Sequence, residues 1–153
     1  MIVSVAIKVN SEINEISEFA ALIDNGNSDI KCLPKFHCLI SEENPFESQH
    51  LIVPKKFLAK NFAQFICLNG CAPDYHTKDS FVNLEIAACA YERDVKSHLK
   101  NLKGFSDIIK FVRIIDLNPN LAEFFDFKKN TILDNAINIT SYLRNSGYGL
   151  RFS

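Results

Sequence analysis

Several residue types are scarce in this 153-residue chain, and each scarcity excludes a class of protein. Tryptophan is absent and methionine occurs once, so neither residue type anchors a rich interface or forms a soft binding groove. No apolar run approaches the roughly 20 residues that a membrane-spanning helix needs. Neither sign of charge is in excess, because 17 Lys and Arg residues stand against 18 Asp and Glu residues. This balance disfavours a strongly cationic nucleic-acid binder.

The cysteine content indicates a reducing compartment. The five cysteines are odd in number, and the first residues, MIVSVAIKVN, lack the basic and long apolar regions of a signal peptide. We therefore expect free thiols and a cytoplasmic location. Lys outnumbers Arg, and Ile, Asn and Phe are abundant. Such a bias is typical of AT-rich bacterial genomes and of the phages or mobile elements that they carry.

Hydrophobic patterning predicts alternating strands and helices in the first half of the chain. Residues 2–9 are rich in β-branched side chains and predict a strand, and residues 36–41 predict another. The apolar residues of segment 11–24 recur at helical spacing and predict a helix between these strands; they are Ile13, Ile16, Ala20 and Ile23. A further helix is predicted to begin at Pro54 and to end at residues 69–70.

In the second half of the chain, the pattern of one segment fits both a strand and a helix. Residues 81–91 alternate between apolar and polar positions as a strand does, and a helix would then begin near Glu92. Alternatively, the whole stretch to Lys103 is one long helix, because its apolar residues also fall on one helical stripe. Residues 108–117 predict a strand by their β-branched content. Two helical segments are predicted to follow, at 121–127 and 131–144.

Together these elements predict an α+β fold. Two βαβ-like units, at 2–41 and 81–117, can pair into one antiparallel sheet covered by helices, which is the ferredoxin-like plan. Additional helices follow at the C-terminus. A mostly α-helical domain is the alternative. The length predicts a single domain over residues 1–153.

One histidine lies in a motif of a nuclease family. Residues 93–98 read RDVKSH, which resembles the Arg-polar-x3-His motif of HEPN-type ribonucleases. The resemblance implies that Arg93 holds the scissile phosphate and that His98 serves as acid or base, a role that suits histidine because its unperturbed pKa lies near 6.5. On a regular helix, however, this spacing turns the two side chains about 140° apart. That family is also fully helical, whereas residues 2–9 predict a strand.

Another histidine, His37, stands on the predicted strand 36–41. A histidine on the strand that follows a strand–helix pair is similar to the arrangement in 2H phosphoesterases, whose two His-x-Thr/Ser motifs face each other. The resemblance implies that His37 serves as an acid or base. This chain departs from the motif, because Leu39 occupies the Thr/Ser position and residues 85–90 contain no histidine. The departure favours a binding protein over a catalyst.

Two cysteines and a histidine are candidate zinc ligands. Cys67, Cys71 and His76 form a Cys-x3-Cys-x4-His pattern, and one further ligand from residues 32–38 would complete a tetrahedral site. The pattern differs from the paired Cys-x2-Cys of zinc ribbons and fingers, and buried free thiols are the alternative explanation. We expect no cofactor, with zinc as the alternative.

Phenylalanine is abundant and marks a candidate partner surface. The chain has 13 phenylalanines, and Phe124, Phe125 and Phe127 fall within four consecutive positions. Because neighbouring helical residues are 100° apart, these three rings do not all face one core. We expect them to contact a protein partner, unless the C-terminal helix covers them. The lysines of segment 55–60 are expected to form a solvated helix face.

No complete catalytic motif is present, which favours a non-enzymatic function. The leading hypothesis is a small cytosolic protein-interaction protein of phage or mobile-element origin, such as an adaptor, an assembly subunit or an inhibitor. Its expected partner is a protein, with nucleic acid less favoured and no membrane contact. One alternative is a phosphoesterase that cleaves RNA or nucleotides with His98 and Arg93, or with His37. The other is a zinc-stabilised binding module.

Overall fold

Four strands precede the first α-helix in the described part of the computed structural model, which comprises residues 2–10, 12–13, 15–26, 29–42, 51–69, 85–90, 95–100, 113–116 and 130–145. The strands described there are β1 (Ile2–Asn10), β2 (Glu15–Asp24), β3 (Lys35–Ile40), β4 (Ile52–Val53), β5 (Glu85–Ala90) and β6 (Arg113–Asp116). The α-helices are α1 (Leu58–Leu68), α2 (Val95–Lys100) and α3 (Ile132–Asn145). Short 3-10 turns lie at Ile30–Cys32 and Lys55–Phe57.

The strands form one mixed sheet in the order β4-β3-β2-β1-β5-β6. Strands β1, β2 and β3 make an antiparallel meander, in which Val5 lies opposite Ala21. On the other side of β1, strands β5 and β6 add in parallel, with Val3 opposite Ile86. The two-residue strand β4 pairs in parallel with β3. Strand β1 is therefore an interior strand with a neighbour on each edge.

The α+β class is confirmed, but the ferredoxin-like plan is not, because the sheet is mixed rather than antiparallel. The mostly α-helical alternative is wrong for the same part of the chain. The helix predicted over 11–24 is also wrong, because this segment forms strand β2. The side-chain oxygen of Asn10 instead accepts a hydrogen bond from the backbone N–H of Glu12 at 3.0 Å in the turn between β1 and β2.

The remaining predicted elements agree with the structure where it describes them. Strands are present within 2–9, 36–41 and 108–117, and the strand alternative for 81–91 is confirmed by β5. The helices predicted at 54–69 and 131–144 correspond to α1 and α3. The helix predicted at 121–127 lies outside the described residues, and the single-domain assignment stays a prediction. None of the helices within the described ranges is long and apolar enough to cross a membrane.

Helices α1 and α2 cover one face of the sheet. Strands β1 and β2 contribute alternate side chains to this core, as expected for period-two structure; they include Val3, Val5, Ile7, Phe19, Ala21 and Ile23. Helix α1 buries an apolar stripe against them: Leu58, Ala59, Phe62, Ala63 and Ile66. Four aromatic rings interlock there, with Phe19 and Phe62 centroids 5.1 Å apart and Phe36 and Phe65 centroids 5.5 Å apart. Four of the five phenylalanines that the structure describes therefore serve packing.

Helix α3 covers the opposite face. A capping box begins the helix, because the Thr131 hydroxyl accepts from the Asp134 N–H at 3.1 Å and the Asp134 carboxylate accepts from the Thr131 N–H at 3.2 Å. The buried side of the helix packs on small sheet residues; this cluster comprises Ile132, Ala136, Ile139, Leu143, Ile2, Ala6, Ala20 and Ala87. The alanines of the sheet leave room for the helix to approach closely.

Two polar contacts fix the position of α3 on the sheet. The hydroxyls of Ser4 and Thr140 lie 2.8 Å apart, and both residues are buried. At the end of the helix, the Arg144 guanidinium donates two hydrogen bonds to the Asp24 carboxylate, at 3.0 and 2.7 Å. The first contact sets where the helix crosses β1, and the second ties its last turn to β2.

Replacing Thr140 with valine is expected to lower the free energy of unfolding by about 1–3 kcal/mol, because the buried Ser4 hydroxyl loses its partner. The double variant Ser4→Ala, Thr140→Val is expected to recover most of that loss, since neither position then carries a hydroxyl. Urea-induced unfolding measures both effects. A single variant as stable as the wild type would contradict the buried pair.

The Asp24 contact predicts a pH dependence of stability. Hydrogen bonds from Arg144 hold the pKa of Asp24 below its ordinary value of 3.8, although burial opposes the shift. A depressed pKa in the folded state means that the contact stabilises the protein above the ordinary value and that this contribution is lost as the pH falls through the lowered value.

We therefore expect Asp24→Asn to lower the free energy of unfolding by about 1–2 kcal/mol at neutral pH. The difference from the wild type should shrink as the pH falls below 3.8. Unfolding curves across this range measure it, with Glu12→Gln on the exposed turn as the control. A difference that stays constant in strong acid would contradict the assigned ion pair.

Candidate functional site

His37 has a defined chemical environment on strand β3. Its Nε2 atom lies 2.6 Å from the Oε2 atom of Glu18 on β2. The side chains of His37 and Glu18 are 27% and 18% exposed, so the pair is reachable from solvent but shielded on most sides. A carboxylate that holds an imidazole fixes its orientation, which is the arrangement of many general bases. The pair is thus chemically able to accept or donate a proton.

The His37–Glu18 pair lies on the face of the sheet that α3 covers. Side chains alternate along a strand, and Cys38, the next residue, packs in the core beneath α1. The register also places His37 opposite Ala20, which packs against α3. The pair is therefore located beside α3 rather than beneath α1.

His98 lies on the other side of the sheet. It is half-buried in α2, and its neighbour Leu99 is fully buried in the core that α1 covers. The two candidate histidines, His37 and His98, therefore do not face each other and do not form one site. Arg93 lies outside the described residues, so its pairing with His98 stays a prediction.

The Cys38 thiol, next to His37 in the chain but on the other face of the sheet, is not a nucleophile. Burial, together with the negative charge of the nearby Glu18 carboxylate, raises the pKa of Cys38 to about 12. Because the thiolate is the reactive form, this thiol is inert at neutral pH. Both Cys32, which is exposed, and Cys38 are free thiols, as expected from the sequence.

The structure does not bring together the other predicted site residues. Among the residues that it describes, no group of three or more His, Cys, Asp or Glu side chains is placed to hold a metal ion. Cys67 lies in the last turn of α1, whereas Cys71 and His76 lie outside the described ranges. The same is true of the partner-binding candidates Phe124, Phe125 and Phe127. The zinc site and the phenylalanine surface both stay predictions.

Exposed apolar side chains lie at the end of the sheet where β1 turns into β2. Ile13 in that turn is 61% exposed, and Phe57 in the 3-10 turn before α1 is 44% exposed. An ion pair connects the first residue of β2 to the 3-10 turn, since the Lys55 Nζ atom lies 2.9 Å from the Oε1 atom of Glu15. The strand end, the turn and the start of α1 therefore form one continuous region.

Positive charge accompanies these apolar side chains. The Lys56 ammonium lies 5.0 Å from the centroid of the Phe57 ring, a cation–π contact. Lys60 is exposed one helical turn further on. Basic residues stabilise the C-terminal ends of helices, whereas these lie at the start of α1, where the helix dipole disfavours them. We call this region the hairpin-end surface; its members are Ile13, Lys56, Phe57 and Lys60.

The sequence did not indicate Glu18 as a partner of His37. If residues 11–24 formed the predicted helix, nothing in the sequence would place the Glu18 side chain next to a strand at 36–41. The polar residues at 10–12 separate two apolar runs, and this pattern also fits a hairpin turn. A hairpin interpretation would have placed Glu18 on the strand that pairs with the His37 strand.

Comparison with known proteins assigns no family to the chain. No protein-family model matches the sequence, and no curated protein matches it significantly.

Proposed function

We propose that this chain is a non-enzymatic, cytosolic interaction protein that binds a protein partner through the hairpin-end surface. The observation that carries the proposal is the exposure of two large apolar side chains, Ile13 and Phe57, at one end of the sheet. Exposed apolar side chains at one end of a protein mark protein-binding sites more often than catalytic ones. An adaptor, an assembly subunit or an inhibitor of phage or mobile-element origin fits this function.

Local hydrogen bonds hold the two apolar residues in place. Asn10 closes the turn that carries Ile13. The Phe57 N–H donates to the carbonyl of Pro54 at 2.9 Å, and the Phe57 carbonyl accepts from the Asn61 side chain at 2.8 Å. A surface that is already ordered loses less conformational entropy on binding. We therefore expect this region to bind a partner without a change in its backbone conformation.

Replacing Phe57 or Ile13 with serine is expected to leave the fold intact and to weaken partner binding by about tenfold or more, as for a hot-spot residue. The matched control is Leu68→Ser, since Leu68 is 86% exposed at the other end of α1, about 15 Å along the helix from its start. Quantitative mass spectrometry of proteins captured from a lysate of the encoding organism measures the binding. Circular dichroism on heating checks the fold.

The comparison among the three variants decides the proposal. Proteins that the Phe57 and Ile13 variants lose and the Leu68 variant keeps would support the hairpin-end surface. Equal loss in all three would indicate unspecific adhesion through apolar side chains. If all three variants still capture the same proteins, the hairpin-end surface is not the binding site. Phe124, Phe125 and Phe127 would then be the next candidates.

The His37–Glu18 pair favours a second candidate function, the cleavage of phosphoesters in RNA. The carboxylate at 2.6 Å orients the imidazole, and an oriented imidazole is a suitable general base for a ribose hydroxyl. Within the described ranges, the other candidate histidine, His98, lies on the opposite face of the sheet. This chemistry therefore depends on His37 alone among the described histidines.

If this second function is correct, the wild type cleaves RNA without added metal. His37→Ala is expected to lower the rate by about 100-fold or more, the usual contribution of a general base. Glu18→Gln is expected to have a smaller effect, because it removes the charge but leaves a hydrogen-bonding group. A fluorogenic RNA substrate measures the rate, with His98→Ala as control. Loss with His98→Ala alone would instead favour the Arg93–His98 pair, and an inactive wild type would exclude both.

A further inference from the structure

The hairpin-end surface carries two lysines that no described acidic side chain pairs with. Within the part of the chain that the structure describes, neither Lys56 nor Lys60 forms an ion pair. The first turn of α1 also contains no acidic residue. Lys55 is different, because Glu15 balances its charge at 2.9 Å. The charges of Lys56 and Lys60 are therefore available to bind a negatively charged group of another molecule.

The charged and apolar parts of this surface are in contact with each other. The Lys56 ammonium lies over the Phe57 ring, so a carboxylate that reaches Lys56 brings the residues beside it against that ring. Ile13 offers a further apolar contact at the same end of the sheet. A ligand that fits both parts has negative charge next to a large apolar side chain.

Acidic residues border the surface and limit the kind of anion that it accepts. Glu12 is exposed in the same turn as Ile13. Glu15 pairs with Lys55, and the side chain of Glu42 accepts a hydrogen bond from the backbone N–H of Lys55 at 3.3 Å. A continuous polyanion such as single-stranded nucleic acid would meet these carboxylates along its length. Ile13 also offers no flat face on which a base stacks.

We infer that the partner presents a short acidic peptide segment with a large apolar side chain, which docks on Lys56, Lys60, Phe57 and Ile13. This inference rests on the proposed function and adds the chemistry of the partner. The lysines select and steer the acidic segment, because complementary charge contributes mainly specificity and association rate. The apolar contact with Phe57 and Ile13 contributes the burial that holds it.

The test is a titration of the full ¹⁵N-labelled chain, followed by NMR. The probe is a synthetic peptide with a Leu-Phe pair flanked on each side by three Glu or Asp residues. The same peptide with Lys flanks and an oligothymidylate of similar length are the comparison probes. The acidic peptide is expected to shift amide signals of residues 12–16 and 55–60, with an affinity that falls as salt rises.

Charge-reversal variants assign the lysines. The double variant Lys56→Glu, Lys60→Glu is expected to weaken binding of the acidic peptide by about tenfold, the combined effect of two exposed charge pairs. The double variant Lys31→Glu, Lys35→Glu changes the net charge by the same amount at exposed positions at the other end of β2, and is expected to bind as the wild type does. Equal weakening in both variants would mean that only net charge matters, and would overturn the inference.

Two further outcomes would also overturn it. If none of the probes shifts residues 55–60, the surface does not bind acidic segments. If the oligothymidylate binds more tightly than the acidic peptide, the surface is a nucleic-acid site. The partner-capture experiment separates this failure from that of the proposed function. Captured proteins that depend on Phe57 but not on the two lysines would leave the proposed function standing and the acidic partner rejected.

Discussion

Burial of strand β1 on both faces is the constraint on which the described structure depends. Val3, Val5 and Ile7 face the core that α1 covers, while Ile2 and Ala6 face α3. Its two edges are occupied as well, by antiparallel β2 and parallel β5. The one polar side chain at its buried centre, Ser4, is satisfied by Thr140. Since an unpaired buried hydroxyl is costly, this contact fixes where α3 lies on the sheet.

Much of this fold could be predicted from the sequence, and the main error has a physical cause. Strands β1 and β3 and helices α1 and α3 have patterns that match their local structure. Strand β2 does not, because residues 19–23 are all buried. An interior strand covered on both faces is apolar throughout and loses its alternation, so its apolar positions also fitted a helix. The candidate sites could be predicted only in part. The sequence marks His37 as a candidate residue, but its contact with Glu18 depends on strand pairing, and the exposure of Phe57 depends on what packs around it.

The two candidate sites occupy different parts of the molecule and predict different chemistry. The His37–Glu18 pair lies beside α3 and provides one oriented imidazole. The hairpin-end surface lies at the start of α1 and combines exposed apolar side chains with two lysines that the helix itself does not require. Binding needs only such complementary shape and charge, whereas catalysis needs several groups aligned on a reacting atom. The described residues provide complementary shape and charge more completely than an aligned set of catalytic groups. We therefore favour an interaction protein over an enzyme.

Site-specific photo-crosslinking tests this account most directly. A photoreactive phenylalanine analogue is placed at position 57 in one preparation and at position 68 in another, and each is irradiated in the presence of the cellular partners. The account predicts a discrete adduct with a partner protein from position 57 and none from position 68, and the partner peptide attached at position 57 should be rich in Asp and Glu. A partner adduct that forms from position 68 and not from position 57 would contradict it.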